Sequence, residues 1–308
     1  MTDRNIKNMA ASIHQRLLNA AKLSGRPFNE LLQYYAIERF LFRLSKSDYA
    51  NRFFLKGALT LLVLRTPVTR PTRDIDLLGR IDNDLGAVRA TIATICEQKV
   101  EPDGLTFDSA SVTTERIAED ADYHGVRAKF RGSLGNARIA MQIDIGFSDV
   151  MTPGPVQISY PTILDQPRPQ LNAYNRETVV AEKFEAMVKL GMLNSRMKDF
   201  FDIWALSHNF DFHGRELAEA IQRTFAQRES RVTADAVCFT ADFAADPSKS
   251  AQWSAFLRNG RLIDTPTNFA DIVESVRRFL RPVTEKLATS EAFVGNWSPG
   301  GPWRSGGK

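Results

Sequence analysis

Two aspartates two residues apart, Asp74 and Asp76, lie in the run Thr72-Arg73-Asp74-Ile75-Asp76-Leu77-Leu78. Ile75, Leu77 and Leu78 give the run strand character, and strand side chains alternate between faces with a period of two. Asp74 and Asp76 are therefore expected on one face, their β-carbons about 7 Å apart on a backbone rising ~3.3 Å per residue. Ile75 and Leu77 turn the other way, toward a core. Neighbouring carboxylates repel, and a cation between them relieves the repulsion. A hard divalent ion such as Mg²⁺, which takes carboxylate and phosphate oxygens, suits the pair. The same spacing suits two turn caps neutralised by Arg70 or Arg73. Just upstream, Lys56-Gly57-Ala58 reads as a small-residue turn at the mouth of an apolar segment.

A third carboxylate follows. In residues 138–147, Met141, Ile143 and Ile145 share one face, while Ala140, Gln142, Asp144 and Gly146 share the other. A charged residue mid-strand is almost never fully buried without a partner. If this strand lies beside the Asp74/Asp76 strand, three carboxylates converge.

The second half holds another charged group. Residues 178–190 read as a helix with Val179, Val180, Phe184, Met187 and Val188 on its apolar stripe. Lys183 falls in that stripe, where it must snorkel or meet an anion. The next helix begins near Arg196. Asp199 and Asp202 are three apart and share a face, flanked by Arg196 and Lys198. An exposed, salt-bridged helix start gives the same pattern, since acidic residues favour the N-terminal end of the dipole.

The elements that must position these groups follow from periodicity. Residues 6–24 and 29–45 predict two amphipathic helices, broken by Gly25-Arg26-Pro27, with Asn29 as an N-cap. The apolar run 53–64 predicts a buried helix behind the Gly57 turn, and 66–72 a loop. Residues 84–98 predict a helix; 112–117, 126–131 and 138–147 predict strands, with a hairpin turn at 132–135. Helices are expected at 215–227, about 250–259 and about 268–288. The reading is an α+β chain: N-terminal helices and an α/β core over 1–150, a proline-rich linker at 151–169, a helical domain over 170–294, and a flexible tail at 295–308 carrying Trp297 and Trp303.

Composition narrows the classes. The 308 residues, 43% hydrophobic and 25% charged, can bury a core without disulfides or structural metals. Cys96 and Cys238 are too few for a disulfide framework or zinc site. The four histidines are too scattered for a His-based metal centre, and His208 and His213 read as helix-end and loop residues. No signal-peptide pattern and no apolar run near the ~20 residues that span a bilayer is present, so a cytoplasmic protein without a membrane partner is expected. Forty basic against 36 acidic residues, net +4, permit a polyanionic partner without requiring one.

Four segments carry a family resemblance. Lys56-Gly57-Ala58, Arg73-Asp74-Ile75-Asp76-Leu77, Ala181-Glu182-Lys183-Phe184-Glu185-Ala186 and Arg196-x-Lys198-Asp199-x-x-Asp202 resemble, in order and spacing, the successive motifs of the AbiEii/AbiGii toxin family. The likeness covers roughly residues 30–210. It implies a polymerase β-type nucleotidyltransferase core (a mixed sheet with flanking helices), an NTP donor with Mg²⁺, and a place in a bacterial toxin–antitoxin or phage-defence system with a cognate antitoxin. Relatives of the MenT type attach nucleotides to tRNA acceptor ends. Carried over, Lys56, Gly57 and Ala58 meet the triphosphate, and Asp74 and Asp76 bind Mg²⁺. Asp144 takes the third-carboxylate place as ligand or proton acceptor. Lys183 holds phosphate, and Asp202 completes the catalytic site with Asp199, beside Arg196 and Lys198. The family's usual Gly-Gly or Gly-Ser is here Gly57-Ala58, so a hydroxyl contact to phosphate is missing.

Nucleotidyl transfer needs an attacking hydroxyl, an in-line α-phosphorus and a pyrophosphate leaving group, and is catalysed largely by positioning and charge neutralisation. Two metals about 3.5–4 Å apart can serve the attacking and leaving oxygens together. Arg65, Arg70, Arg73 and Arg196 are candidates for a basic rim along an RNA backbone. Two other readings compete: an NTP-binding interaction protein without transfer chemistry, and a nucleotidyltransferase that modifies a protein or small-molecule hydroxyl.

Overall fold

Alternation of apolar and polar residues builds a seven-stranded mixed sheet whose middle strands carry the acidic residues singled out above. The structure, a computed structural model, describes residues 3–63, 72–120, 123–262 and 264–305. In chain order the first elements are α1 (Asp3–Ser24), α2 (Phe28–Lys46), β1 (Phe53–Lys56), α3 (Ala58–Val63), β2 (Ile75–Gly79), α4 (Leu85–Glu97), β3 (Leu105–Asp120), β4 (Tyr123–Leu134), β5 (Ala137–Gly146), β6 (Val156–Ser159) and β7 (Gln170–Ala173). There follow α5 (Arg176–Leu190), α6 (Met197–Asn209), β8 (Phe212–His213), α7 (Gly214–Gln227), α8 (Ala241–Ala245), α9 (Pro247–Gly260), α10 (Phe269–Ala288), β9 (Asn296–Trp297) and β10 (Trp303–Arg304). Among the described residues no helix is long and apolar enough to cross a membrane.

Two compact units result. The first comprises the described residues up to 63 together with 72–148 and 156–173. Its strands run in the order β3-β4-β5-β2-β1-β7-β6. β2 is parallel to β5 and antiparallel to β1, which in turn is parallel to β7. The faces read from the sequence hold: Ile75 and Leu77 of β2 and Met141, Ile143 and Ile145 of β5 are all buried. They share a core with Tyr35, Ile37, Phe40 and Leu41 of α2. Phe40, Phe107 and Phe130 pack there with ring centroids 5.2–5.9 Å apart, an arrangement worth more than its area alone.

Two sequence expectations change, and a third falls largely outside the described residues. The run 53–64 is not one helix. Phe53 and Leu55 alternate into the core, β1 is paired on both edges, and α3 starts only after Gly57. A short apolar run satisfies either period, and here the sheet wins. The linker at 151–169 is partly sheet. β6 pairs with β7 through Val156↔Ala173 and Ile158↔Leu171, which binds residues 156–173 to the first unit. The loop expected at 66–72 falls, except for Thr72, outside the described residues.

A buried polar cluster fastens the segment before β7 onto α2. Ile163 N donates to Glu38 Oε2 at 2.8 Å, Arg39 Nη2 donates to the Pro167 carbonyl at 2.8 Å, and Gln166 Nε2 donates to the Tyr35 hydroxyl at 2.9 Å. Glu38 and Arg39 are each only 1% exposed, with Arg39 Nε 3.4 Å from Glu38 Oε1. Burial pushes the Glu38 carboxyl from its ordinary 4.5 up to about 8, although Arg39 pulls the other way. A pKa raised on folding gives stability that is complete below 4.5 and lost as pH rises through 8. Glu38→Gln removes the titration. Its denaturation free energy is expected to be flatter between those pH values, by up to about 1.4 kcal/mol per pH unit, in urea titrations of both proteins.

The second unit comprises residues 149–155 and the described residues from 174 onward. Its α5–α7 and α10 enclose Phe184, Phe200, Leu217 and Phe279. The expected flexible tail belongs to this unit. β9 pairs with both β8 and β10, Trp297 is 2% exposed, and its Nε1 donates to Ser207 O at 2.7 Å. Trp303 stacks on Phe279 and donates to that residue's carbonyl at 2.7 Å. Two indoles with apolar bodies and satisfied N–H groups hold down a glycine-rich segment that composition alone marks as loose.

Candidate functional site

In the first unit, strand register sets four charged residues in one row. Lys56 of β1 lies opposite Asp76 of β2, Asp76 opposite Asp144 of β5, and Asp144 opposite Arg127 of β4. Residues paired across strands share a face, so the row reads cation, anion, anion, cation. Asp74 is one alternation upstream of Asp76, just before β2 begins. It is half-buried, as Asp76 is, whereas Asp144 and Lys56 are buried. Gln33 of α2 steadies this region by donating from Nε2 to the Ala140 carbonyl at 3.1 Å. Tyr34 accepts from Thr72 N at 3.0 Å.

Gly57 makes the row possible. It sits at φ +71°, where a side chain is strained, and a Cβ there would lie 2.8 Å from Asp76 Cγ and closer still to Oδ2. The bare glycine therefore leaves the space that the Asp76 carboxylate fills. Ala58 opens α3 and is buried. Gly57→Ala is expected to push Asp76 out of place. Displacing a reacting group by ~1 Å can cost 10²-fold in rate, so any activity that depends on Asp76 should fall by about that factor in steady-state assays of Gly57→Ala.

Asp144 is not open. Arg127 grips it with Nε to Oδ1 at 2.8 Å and Nη2 to Oδ2 at 2.7 Å, a bidentate pair. Hydrogen bonding to Asp144 raises the Arg127 pKa above its ordinary range. Partial burial opposes this, and the charges of Asp144, Asp74 and Glu115 reinforce it. Asp74 and Asp144 thus both act on the Arg127 guanidinium. The three-carboxylate metal set expected from sequence is not present as a ready group of ligands, and both Asp144 oxygens accept from Arg127. Among the described residues no group of three or more His, Cys, Asp or Glu is placed to hold a metal ion. Asp74 and Asp76 suit a hard divalent ion by their donor chemistry, being two carboxylates one strand alternation apart.

Arg127 was missed at the sequence level. Its face was legible, since Arg127, Lys129 and Arg131 alternate with Val126, Ala128 and Phe130. Its partner was not, because no local pattern gives the register between β4 and β5. Of the basic rim, Arg73 is exposed, and Arg65 and Arg70 lie outside the described residues.

In the second unit the charged residues of α5 and α6 form a closed cluster. Asn175 caps α5, accepting from Thr178 N at 2.7 Å. Lys183, on the third turn, reaches Asp199 Oδ1 at 3.0 Å and Asp202 Oδ2 at 2.6 Å. Arg196 Nε donates to Asp199 Oδ2 at 2.7 Å. Both aspartates are fully buried, Lys183 is 11% exposed, and Arg196 about one-third. Burial opposes ionisation of Asp199, but the charges of Lys183, Arg196 and Lys198 prevail and hold its carboxyl below the usual range. The anion that Lys183 required is therefore this pair of side chains. The exposed helix start considered for Asp199 and Asp202 is corrected: both turn inward, and Lys198 stays exposed. The phosphate expected at Lys183 meets an ammonium already engaged twice within its own unit.

A family model described as nucleotidyl transferase AbiEii toxin, type IV TA system, matches residues 39–275. Among solved structures, JHP933 from Helicobacter pylori is 14% identical, with 94% of this chain and 97% of that one covered at a TM-score of 0.47. A putative nucleotidyltransferase from H. pylori is 15% identical, with 95% and 100% covered at 0.44. MenT4, a nucleotidyltransferase toxin from Mycobacterium tuberculosis H37Rv, is 13% identical, with 92% and 99% covered at 0.49. No curated protein matches the chain.

Proposed function

The chain belongs to the AbiEii nucleotidyl transferase toxin family of type IV toxin–antitoxin systems, and from that premise we propose that it transfers a nucleotide from an NTP to the 3′ end of tRNA, with Mg²⁺ as its metal. Nucleotidyl transfer and an antitoxin partner follow from the family; the acceptor and the ion are our reading. The observation that carries it is the row Lys56, Asp76, Asp144 and Arg127, with Asp74 one alternation away and Gly57 leaving room for Asp76.

In this reading Asp74 and Asp76 hold the ion, which when bound supplies positive charge to the phosphate oxygens. The acceptor's 3′-oxygen forms a bond to the α-phosphorus as the bond to the bridging oxygen breaks and pyrophosphate leaves. The hydroxyl proton passes to a carboxylate of the row or to water. Lys56, buried and in register with Asp76, balances the acidic pair on the β1 side. The fixed backbone of three adjacent strands pre-sets these groups before substrate arrives. Lys183 serves here to fasten α5 to α6. The protein acts in the cytoplasm, where tRNA and NTPs are at hand.

Incubation with each α-³²P-labelled NTP and total RNA, followed by 3′-end mapping, tests the proposal. Label at tRNA 3′ ends is expected. Label only on protein or a small molecule overturns the acceptor, and nucleotide binding with no covalent label anywhere overturns transfer itself.

A further inference from the structure

Arg127 belongs to the charged row but has no assigned role in the reading above, and it holds the third carboxylate by both oxygens. We propose that Arg127 is the site's resident cation: it neutralises Asp144, leaves Asp74 and Asp76 as the carboxylates that take a divalent ion, and presents its outer edge to an anionic substrate. The inference rests on the proposed function, since it assumes a metal at Asp74 and Asp76.

The geometry argues for it in three ways. The contact is bidentate at 2.7 and 2.8 Å, and Asp144 is 12% exposed against 32% for Arg127. A carboxylate so gripped is already charge-neutralised, which weakens its pull on a further cation. Gln142 Nε2 adds long contacts to both Asp144 oxygens, at 3.4 and 3.5 Å. Arg127 also keeps donors to spare. Nε and Nη2 serve Asp144, whereas Nη1 donates to no acceptor among the described residues, and a third of the side chain meets solvent. A guanidinium fixed on one side and open on the other is suited to a phosphate oxygen. Arg127 stands in register with Asp144, which is itself in register with Asp76 on the following strand, so the guanidinium closes the β4 end of the charged row.

The test is the Mn²⁺ stoichiometry of the full chain without nucleotide, read by electron paramagnetic resonance. One ion is expected for the natural protein and for Asp144→Asn, with affinities within about threefold of each other. Arg127→Gln frees Asp144 and should bind a second ion or bind the first at least tenfold more tightly, while Arg127→Lys, which keeps the charge, should stay at one. Two ions in the natural protein, with one lost in Asp144→Asn, would overturn the role of Arg127 and leave the transferase reading standing. No Mn²⁺ binding by the natural protein would overturn the metal assumption and this inference with it. No change in Arg127→Gln would show that Arg127 does not withhold Asp144, and would also overturn it.

Discussion

Lys183→Ala is expected to destabilise the second unit by about 3–5 kcal/mol, the cost of breaking a buried ion pair from one side. Its ammonium sits 2.6 Å from one fully buried carboxylate and 3.0 Å from another. Without it Asp202 loses this cation, and Asp199 keeps Arg196 at 2.7 Å. All four tryptophans, Trp204, Trp253, Trp297 and Trp303, belong to this unit, so urea unfolding followed by tryptophan fluorescence reports on it selectively. The pH dependence has a definite sign. Folding lowers the Asp199 pKa, so its contribution is present above the ordinary value of 3.8 and is lost as pH falls through the folded value. The gap between Lys183→Ala and the natural protein should therefore be wide at pH 7 and narrow in acid. Adding Asp202→Asn should restore part of the loss, because an amide is far cheaper to bury than an unpaired charge. A lysine whose only work is to hold phosphate gives the opposite pattern: weaker NTP binding at an unchanged midpoint.

Asp76→Asn is expected to reduce nucleotide transfer by at least about 10³-fold, the scale on which removal of one preorganised charge-stabilising group acts. The substitution keeps size and shape while removing charge from the centre of the row. Asp76 neighbours Asp144 on one strand and Lys56 on the other, and it fills the space left by Gly57. Far-UV circular dichroism should show the sheet retained, and kcat should fall more than NTP affinity. Transfer at the natural rate would remove Asp76 from the chemistry.

Much of this was legible in one dimension. Alternation put Asp74 and Asp76 on one face and Asp144 on the less apolar face of its strand, and the first two helices came within a few residues of α1 and α2. What stayed hidden depended on long-range pairing. The order β5-β2-β1-β7 is not the order of synthesis, so the neighbours of Asp144 could not be read locally. Lys183 was recognisable as a lysine in need of an anion, but its two aspartates lie on the next helix, across the Gly191 turn. β1 was misread because four apolar-rich residues fit a strand or a buried helix equally well. Residues 295–305 were misread because glycine content says nothing about where Trp297 finds a pocket.

The most direct test is an anomalous-scattering map from crystals soaked with Mn²⁺ and a non-hydrolysable NTP. The account predicts a peak within about 2.0–2.6 Å of oxygens from Asp74 and Asp76, beside the triphosphate, with Asp144 still paired to Arg127. A metal and triphosphate bound away from these two carboxylates would contradict it.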